Sequence, residues 1–184
     1  MNRIAPLDPS TASPKAQQLL SAVKGKLGMT PNMMRVMAHA PAALEGYLGF
    51  SNTLGSGAFD GKLREQIALT VAETNLCGYC LSAHTLIGGK FGLSADELTQ
   101  ARAASSTNPR TDALLKLARA IVLSRGELSD ADLKTARAAG VSDAELVETI
   151  ANVALNLFTN YVNHVARTAV DFPEVKPGLA TVKA

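Results

Sequence analysis

Two cysteines three positions apart, Cys77 and Cys80, are followed four residues later by His84 and preceded by a carboxylate, Glu65, with eleven residues between it and Cys77. On a helix, positions i, i+3 and i+7 stack above one another, so Cys77, Cys80 and His84 would share one face. A thiol is a nucleophile only as the thiolate, and an ordinary cysteine pKa of about 8.5 leaves it mostly protonated near neutrality. Three features of the pattern favour ionisation. Cys77 falls in the expected first turn of a helix, where unpaired amides and the helix dipole favour an anion. His84 can take the Cys80 proton directly or through water. Glu65, on the preceding helix, can orient the imidazole or pass its proton to solvent. A second thiol three residues away can then attack a sulfenic acid or mixed disulfide formed on the first.

An isolated C-x-x-C also occurs in zinc sites, and Cys77, Cys80 and His84 with His39 or His164 would complete a Cys2His2 set. A second C-x-x-C or an H-x-x-x-H pair is missing, which weighs against structural zinc. A thioredoxin-like motif would follow a strand, and no stretch of alternating β-branched residues predicts one. The expected fold class is all-α.

Composition agrees. The 184-residue chain is 47% apolar but only 4% aromatic, with no Trp, so Ala, Leu and Val must build the core of a single domain spanning residues 1–184. A net charge of +2 without a basic, aromatic-interleaved run argues against nucleic acid as partner. No apolar stretch reaches membrane-spanning length and Met1–Ser10 has no apolar core, so a soluble cytoplasmic protein is expected, with reduced thiols.

The elements that must hold these residues announce themselves by their caps. Met1 to Ala12 reads as an extended arm, lying on the body or on a neighbouring subunit. Ser13-Pro14 opens a helix ending near Gly25 to Gly28; Thr30-Pro31 and Ala40-Pro41 open two more, across Met33 to Ala38 and from Leu44 to Leu54. Asp60 caps the helix carrying Glu65, and a new helix is expected from about Leu76 to Ile87, broken by Gly88 and Gly89. Ser94, Ser129 and Ser142 each precede an acidic residue by three positions, the capping-box signature. Asn108-Pro109 opens a helix closed by Arg125-Gly126. The final helix, Asp143 to about Val170, is apolar around most of its circumference and is expected to be largely buried. Its polar residues Asn152, Asn156, Asn160, Asn163 and Arg167 form one stripe, either a solvated face or a buried hydrogen-bonded seam. The tail from Pro173 to Ala184 reads as loosely held.

Taken together, Glu65-x11-Cys77-x2-Cys80-x3-His84, the preceding Lys62-Leu63-Arg64, and the closing stretches Phe158 to His164 and Asp171-Phe172-Pro173 resemble the alkylhydroperoxidase AhpD-like family, in the peroxidase-related branch of the carboxymuconolactone decarboxylase superfamily. The resemblance implies a helical fold built on a duplicated unit and assembled as trimers or hexamers. It also implies peroxide reduction through the cysteine pair, with no bound cofactor and with regeneration by an external dithiol, lipoyl or another carrier, on a donor protein. Cys80, with His84 one turn beyond it, is expected to be the sulfur attacked by peroxide, Cys77, nearer the helix start, the more exposed resolving thiol, and Glu65 with His84 the proton relay. Where some family hydroperoxidases carry His between the cysteines this chain has Tyr79, which removes one base. Two other readings use the same residues: a disulfide reductase with little peroxidase activity, and an oligomeric sensor in which the dithiol is a switch. An apolar final helix and the resemblance both lead to a homo-oligomer larger than a dimer, with Leu155, Phe158 or their neighbours at the interface.

Overall fold

The computed structural model describes residues 2–179, which form nine α-helices and one short 3-10 turn and contain no strand. The helices are α1 (Pro14–Leu27), α2 (Asn32–Met37), α3 (Pro41–Leu54), α4 (Gly61–Thr74), α5 (Gly78–Lys90), α6 (Ala95–Arg102), α7 (Pro109–Ser124), α8 (Asp130–Ala138) and α9 (Asp143–Ala166). All three serine signals are complete capping boxes, and Ser13, Asp60 and Asn108 cap through their side chains as their residue types require.

Helix α4 lies at the centre, packed against α5, α6, α7 and α9. It can do so because Ile67, Ala68, Leu69, Thr70, Val71 and Ala72 are all buried, so nearly its whole circumference faces protein. The one hydroxyl in that run is satisfied across the packing, since Thr70 Oγ1 donates to the Ala101 carbonyl at the end of α6 at 2.6 Å. Glycines permit the close approach of α4 to its neighbours. A Cβ on Gly61 would overlap the Phe91 ring, and one on Gly88 would stand 2.9 Å from Leu98 Cδ2 and 3.7 Å from Glu65 Cβ. Gly88 and Gly89 do not break α5, which runs on to Lys90; the missing side chain at Gly88 leaves room for Leu98 of α6 and for Leu93.

The last helix is inverted relative to its expected burial. The amide stripe is the inner face: Thr149, Asn152, Asn156, Thr159, Asn160 and Asn163 are buried, while Val147, Ile150, Phe158, Tyr161 and Val165 are exposed, Val147 by 66% and Val165 by 61%. The polar groups tolerate burial because most bond their own helix: Asn156 Nδ2 donates to the Asn152 carbonyl and Asn152 Nδ2 to that of Glu148, each at 2.9 Å. Arg167 lies outside the seam; it is the left-handed C-cap of α9, which ends at Ala166, four residues before the expected Val170.

Both ends of the described stretch, residues 2–179, lie on the body. The backbone amides of Arg3 and Ile4 bond the Ala166 carbonyl, and Leu7 exchanges bonds with Arg35, which fixes the arm on its own subunit. Phe172 to Leu179 is docked rather than loose: Val175 N–H donates to Ser82 Oγ at 2.9 Å, and Glu73 Oε1 accepts from Gly178 and Leu179. The remainder of the expected loose tail, residues 180–184, lies outside the described residues.

Glu148 holds the turn before α4 by accepting from the Ala58 and Phe59 amides at 2.9 Å each. Two charge-assisted bonds to one carboxylate predict that Glu148→Ala destabilises the fold by about 2–4 kcal/mol. A melting temperature equal to that of the unaltered chain would show the staple to be idle.

Candidate active site

The α4–α5 hairpin brings the four sequence-predicted residues together. After Thr74 the chain turns through Leu76, a non-glycine residue in the left-handed region at φ 55°, and re-enters extended geometry at Cys77, the N-cap of α5. Cys77 is thus just ahead of the first turn rather than in it, with its sulfur close to the free amides that open α5. Two turns along, His84 Nδ1 and Glu65 Oε2 are 2.7 Å apart. The side chains are 21% and 14% exposed, so solvent screens this pair only in part.

The two thiols lie in different electrostatic surroundings although both are only 2% exposed. The Cys77 pKa is lowered, first because the Cys80 thiol donates a hydrogen bond to its sulfur, then through the Cys80 and Tyr79 amides and the nearby His84, against a burial effect of opposite sign. Cys80 is raised well above the usual thiol range, because it is the donor to Cys77, is deeply buried, and neighbours the Cys77 charge. Burial alone would push His84 down, but the Glu65 charge, the Glu65 hydrogen bond and Cys77 outweigh it, and the net direction is up. The charge-stabilising groups therefore gather on Cys77, whereas the sequence had placed the attacked sulfur at Cys80 from His84 being one turn beyond it. Nor is Cys77 the more exposed of the two, since the hairpin buries its side chain.

Tyr79 is a structural anchor. Its hydroxyl donates to Asp171 Oδ1 at 2.7 Å and accepts from the Met33 amide at 3.1 Å, and its ring meets Phe172 edge-on with centroids 5.6 Å apart. Burial pushes its pKa far up, so it serves as neither base nor anion. The other histidines bond backbone carbonyls away from the thiols, His39 to Ala5 and His164 to Asn75, each at 2.9 Å, and neither joins Cys77 and Cys80. Among the described residues no three His, Cys, Asp or Glu side chains converge as a metal site.

A cavity of about 290 Å³ opens beside the relay. His84, Glu65 and Tyr79 line it together with Thr159 and Asn156 of α9, and most of the remaining wall is apolar, including Met33, Met34 and Leu155. Thr159 touches the Cys80 sulfur at 4.0 Å, which sets the dithiol directly behind the cavity wall. Tyr47 on the same wall is pushed up to about 12 by burial, with the Cys80 and Glu65 charges adding and a Ser51 hydrogen bond opposing. Asn163, Thr159 and Asp171 were not legible as site residues. Only the run of neutral amides on one face of α9 hinted at the first, and nothing in the sequence ties them to residues some 80–90 positions earlier.

Residues 40–121 match the model of the Carboxymuconolactone decarboxylase family. Among curated proteins none matches the chain. Among solved structures, a peroxidase-related protein from Ralstonia eutropha described as an alkylhydroperoxidase AhpD core is similar over 93% of this chain and 94% of its own, at 22% identity and a TM-score of 0.78. A peroxidase-related protein from Silicibacter sp. is similar over 91% and 92%, at 23% identity and a TM-score of 0.78. The debrominase Bmp8 is similar over 92% of each chain at 21% identity with a TM-score of 0.77, and a cysteine-to-alanine variant of it has been solved with 2,3,4-tribromopyrrole. No described helix of the present chain is long and apolar enough to cross a membrane.

Proposed function

From the premise that this chain has the AhpD-like fold and carries the carboxymuconolactone decarboxylase family pattern across residues 40–121, we propose that it is a thiol-dependent peroxidase-type oxidoreductase acting on small molecules. The observation that carries this reading is the 2.7 Å Glu65–His84 bond set beside a C-x-x-C at a helix start. The Cys77 thiolate attacks one oxygen of a peroxide and the O–O bond breaks. The departing alkoxide takes a proton from the His84 imidazolium, leaving a sulfenic acid on Cys77. The Cys80 thiol then attacks that sulfur, water leaves, and a Cys77–Cys80 disulfide remains. An external dithiol returns two electrons and two protons by thiol–disulfide exchange and is itself oxidised to a disulfide. The site asks for no metal or organic cofactor in these steps.

Peroxide consumption with lipoamide, thioredoxin and glutathione offered in turn as donors tests the reading. Sustained turnover is expected with a dithiol donor. Oxidation of one equivalent per chain, with no turnover under any donor, would favour the redox switch instead. The cavity supports a second reading, because its apolar wall has room for a ring and the debrominase of similar fold is solved with a brominated pyrrole. Bromide release from 2,3,4-tribromopyrrole at the expense of the dithiol distinguishes the two.

The exposed stripe of α9 leads us to propose self-association. Val147, Ile150, Ala154, Phe158, Tyr161 and Val165 follow one another at steps of three and four, the spacing of a helix seam, and five of the six are large apolar or aromatic residues. Leu155, by contrast, lines the cavity. Light scattering is expected to give a closed homo-oligomer larger than a dimer, and Phe158→Glu with Val165→Glu to lower the mass. A monomer at micromolar concentration for the unaltered chain would overturn this proposal.

A further inference from the structure

Asn163 is buried on the inner face of α9, and its carboxamide nitrogen lies 3.3 Å from Cys80 Sγ and 3.2 Å from Met33 Sδ. A thioether sulfur can only accept. Met33 therefore fixes which end of the amide faces the two sulfurs, and the second N–H is aimed at Cys80. The neighbouring hydroxyl is worse placed for the job, since Thr159 Oγ1 stands 4.0 Å from Cys80 Sγ and already donates to the Asn156 carbonyl at 2.9 Å. Among the described residues Asn163 is thus the side-chain donor closest to that sulfur. Its other end is unusual, because Asn163 Oδ1 is buried without a partner. An unpaired buried carbonyl costs stability. A leucine would fill the same space without that cost, so the amide is not explained by packing.

We propose that Asn163 is a catalytic residue, a hydrogen-bond donor that stabilises Cys80 whenever its sulfur carries negative charge. The proposal rests on the dithiol reading and adds a role for α9 to it. Charge reaches Cys80 at two points. When the Cys80 thiol attacks the sulfenic acid on Cys77, its proton leaves as the S–S bond forms and water is expelled. When a donor dithiol attacks Cys77 in the disulfide, the S–S bond breaks and its electron pair stays on Cys80 as the thiolate. A donor favours the unprotonated sulfur in both, and it works against the burial that pushes the Cys80 thiol up.

The test reads the thiol without peroxide or reductant, so it stands apart from the peroxidase reading. In a Cys77→Ser background Cys80 is the one remaining cysteine, and its alkylation by iodoacetamide is followed against pH. Adding Asn163→Leu should slow alkylation about tenfold or more at fixed pH and move its midpoint upward, consistent with losing a bond to a charged acceptor. The melting temperature should stay level or rise, since the orphaned carbonyl is removed. A purely structural amide gives the opposite pair of results, a lowered melting temperature with alkylation unchanged, and that overturns the proposal. Asn163→Asp keeps the shape and replaces the donor by a carboxylate. It should slow alkylation further, and an unaltered rate there also overturns the assignment, whether or not the leucine variant folds.

Discussion

Cys77→Ser is expected to abolish the reaction of the first equivalent of peroxide, while Cys80→Ser still forms a sulfenic acid on Cys77 and then stalls. The difference follows from where the charge is held. Cys77 sits at the start of α5, where nearby amides and His84 favour its charge, whereas Cys80 is a buried thiol that gives its proton toward Cys77. Without Cys77 the only sulfur left is one that burial keeps protonated, and a protonated thiol is a poor nucleophile. Without Cys80 the first step survives but nothing resolves the sulfenic acid, so catalytic turnover ceases in both variants. Dimedone labelling followed by peptide mass mapping separates the outcomes. Label on Cys80 in the Cys77→Ser protein, formed at the rate of the unaltered chain, would exchange the two roles.

The second large effect belongs to the relay. Removing an acid or base positioned at a reacting centre costs about 10²–10⁴-fold in rate, and His84→Ala should fall in that range with the fold intact. Glu65→Gln should fall less far and also change the pH profile, with a sign fixed by the directions of the shifts. Activity rises with pH as Cys77 ionises through its lowered pKa and falls as His84 loses its proton through its raised one. Gln at position 65 takes away the charge and the bond that hold His84 up, so the alkaline limb should move to lower pH. The weaker imidazolium then supports the Cys77 thiolate less, and the acid limb should move to higher pH. A profile for Glu65→Gln that overlays the original would remove the carboxylate from the mechanism.

What could be read in advance was what is written locally. Caps such as Ser94, Ser129 and Ser142 act within one helical turn, and the spacing of Cys80 and His84 is a property of one helix, so both were legible from residue types alone, while Cys77 proved to be the extended N-cap of that helix. The misreadings share a different cause. Gly88 looked like a helix stop because its role, close contact with Leu98 of α6, depends on a partner that local sequence does not reveal. The inner face of α9 was ambiguous because amides that bond their own helix can be buried as readily as leucines, and the sequence does not say which face meets α4. The tail looked loose because its holds, Glu73 and Ser82, lie about a hundred residues earlier.

That last separation bears on how the protein is made. The cysteines emerge from the ribosome well before the residues that finish their surroundings: Asn163 comes 83 positions after Cys80, Asp171 comes 92 after Tyr79, and Leu179 comes 106 after Glu73. Chains grow from the N-terminus at about 5–20 residues per second, so the nascent dithiol passes several seconds or more without its seam, its anchor or its strap. During that interval the thiols lack these later contacts and are expected to be more open to disulfide exchange with other chains. A synthesis that stalls within α9 leaves a polypeptide with its redox pair exposed and unregulated, and slow codons or ribosome pausing in that stretch should raise the fraction of product carrying mixed disulfides.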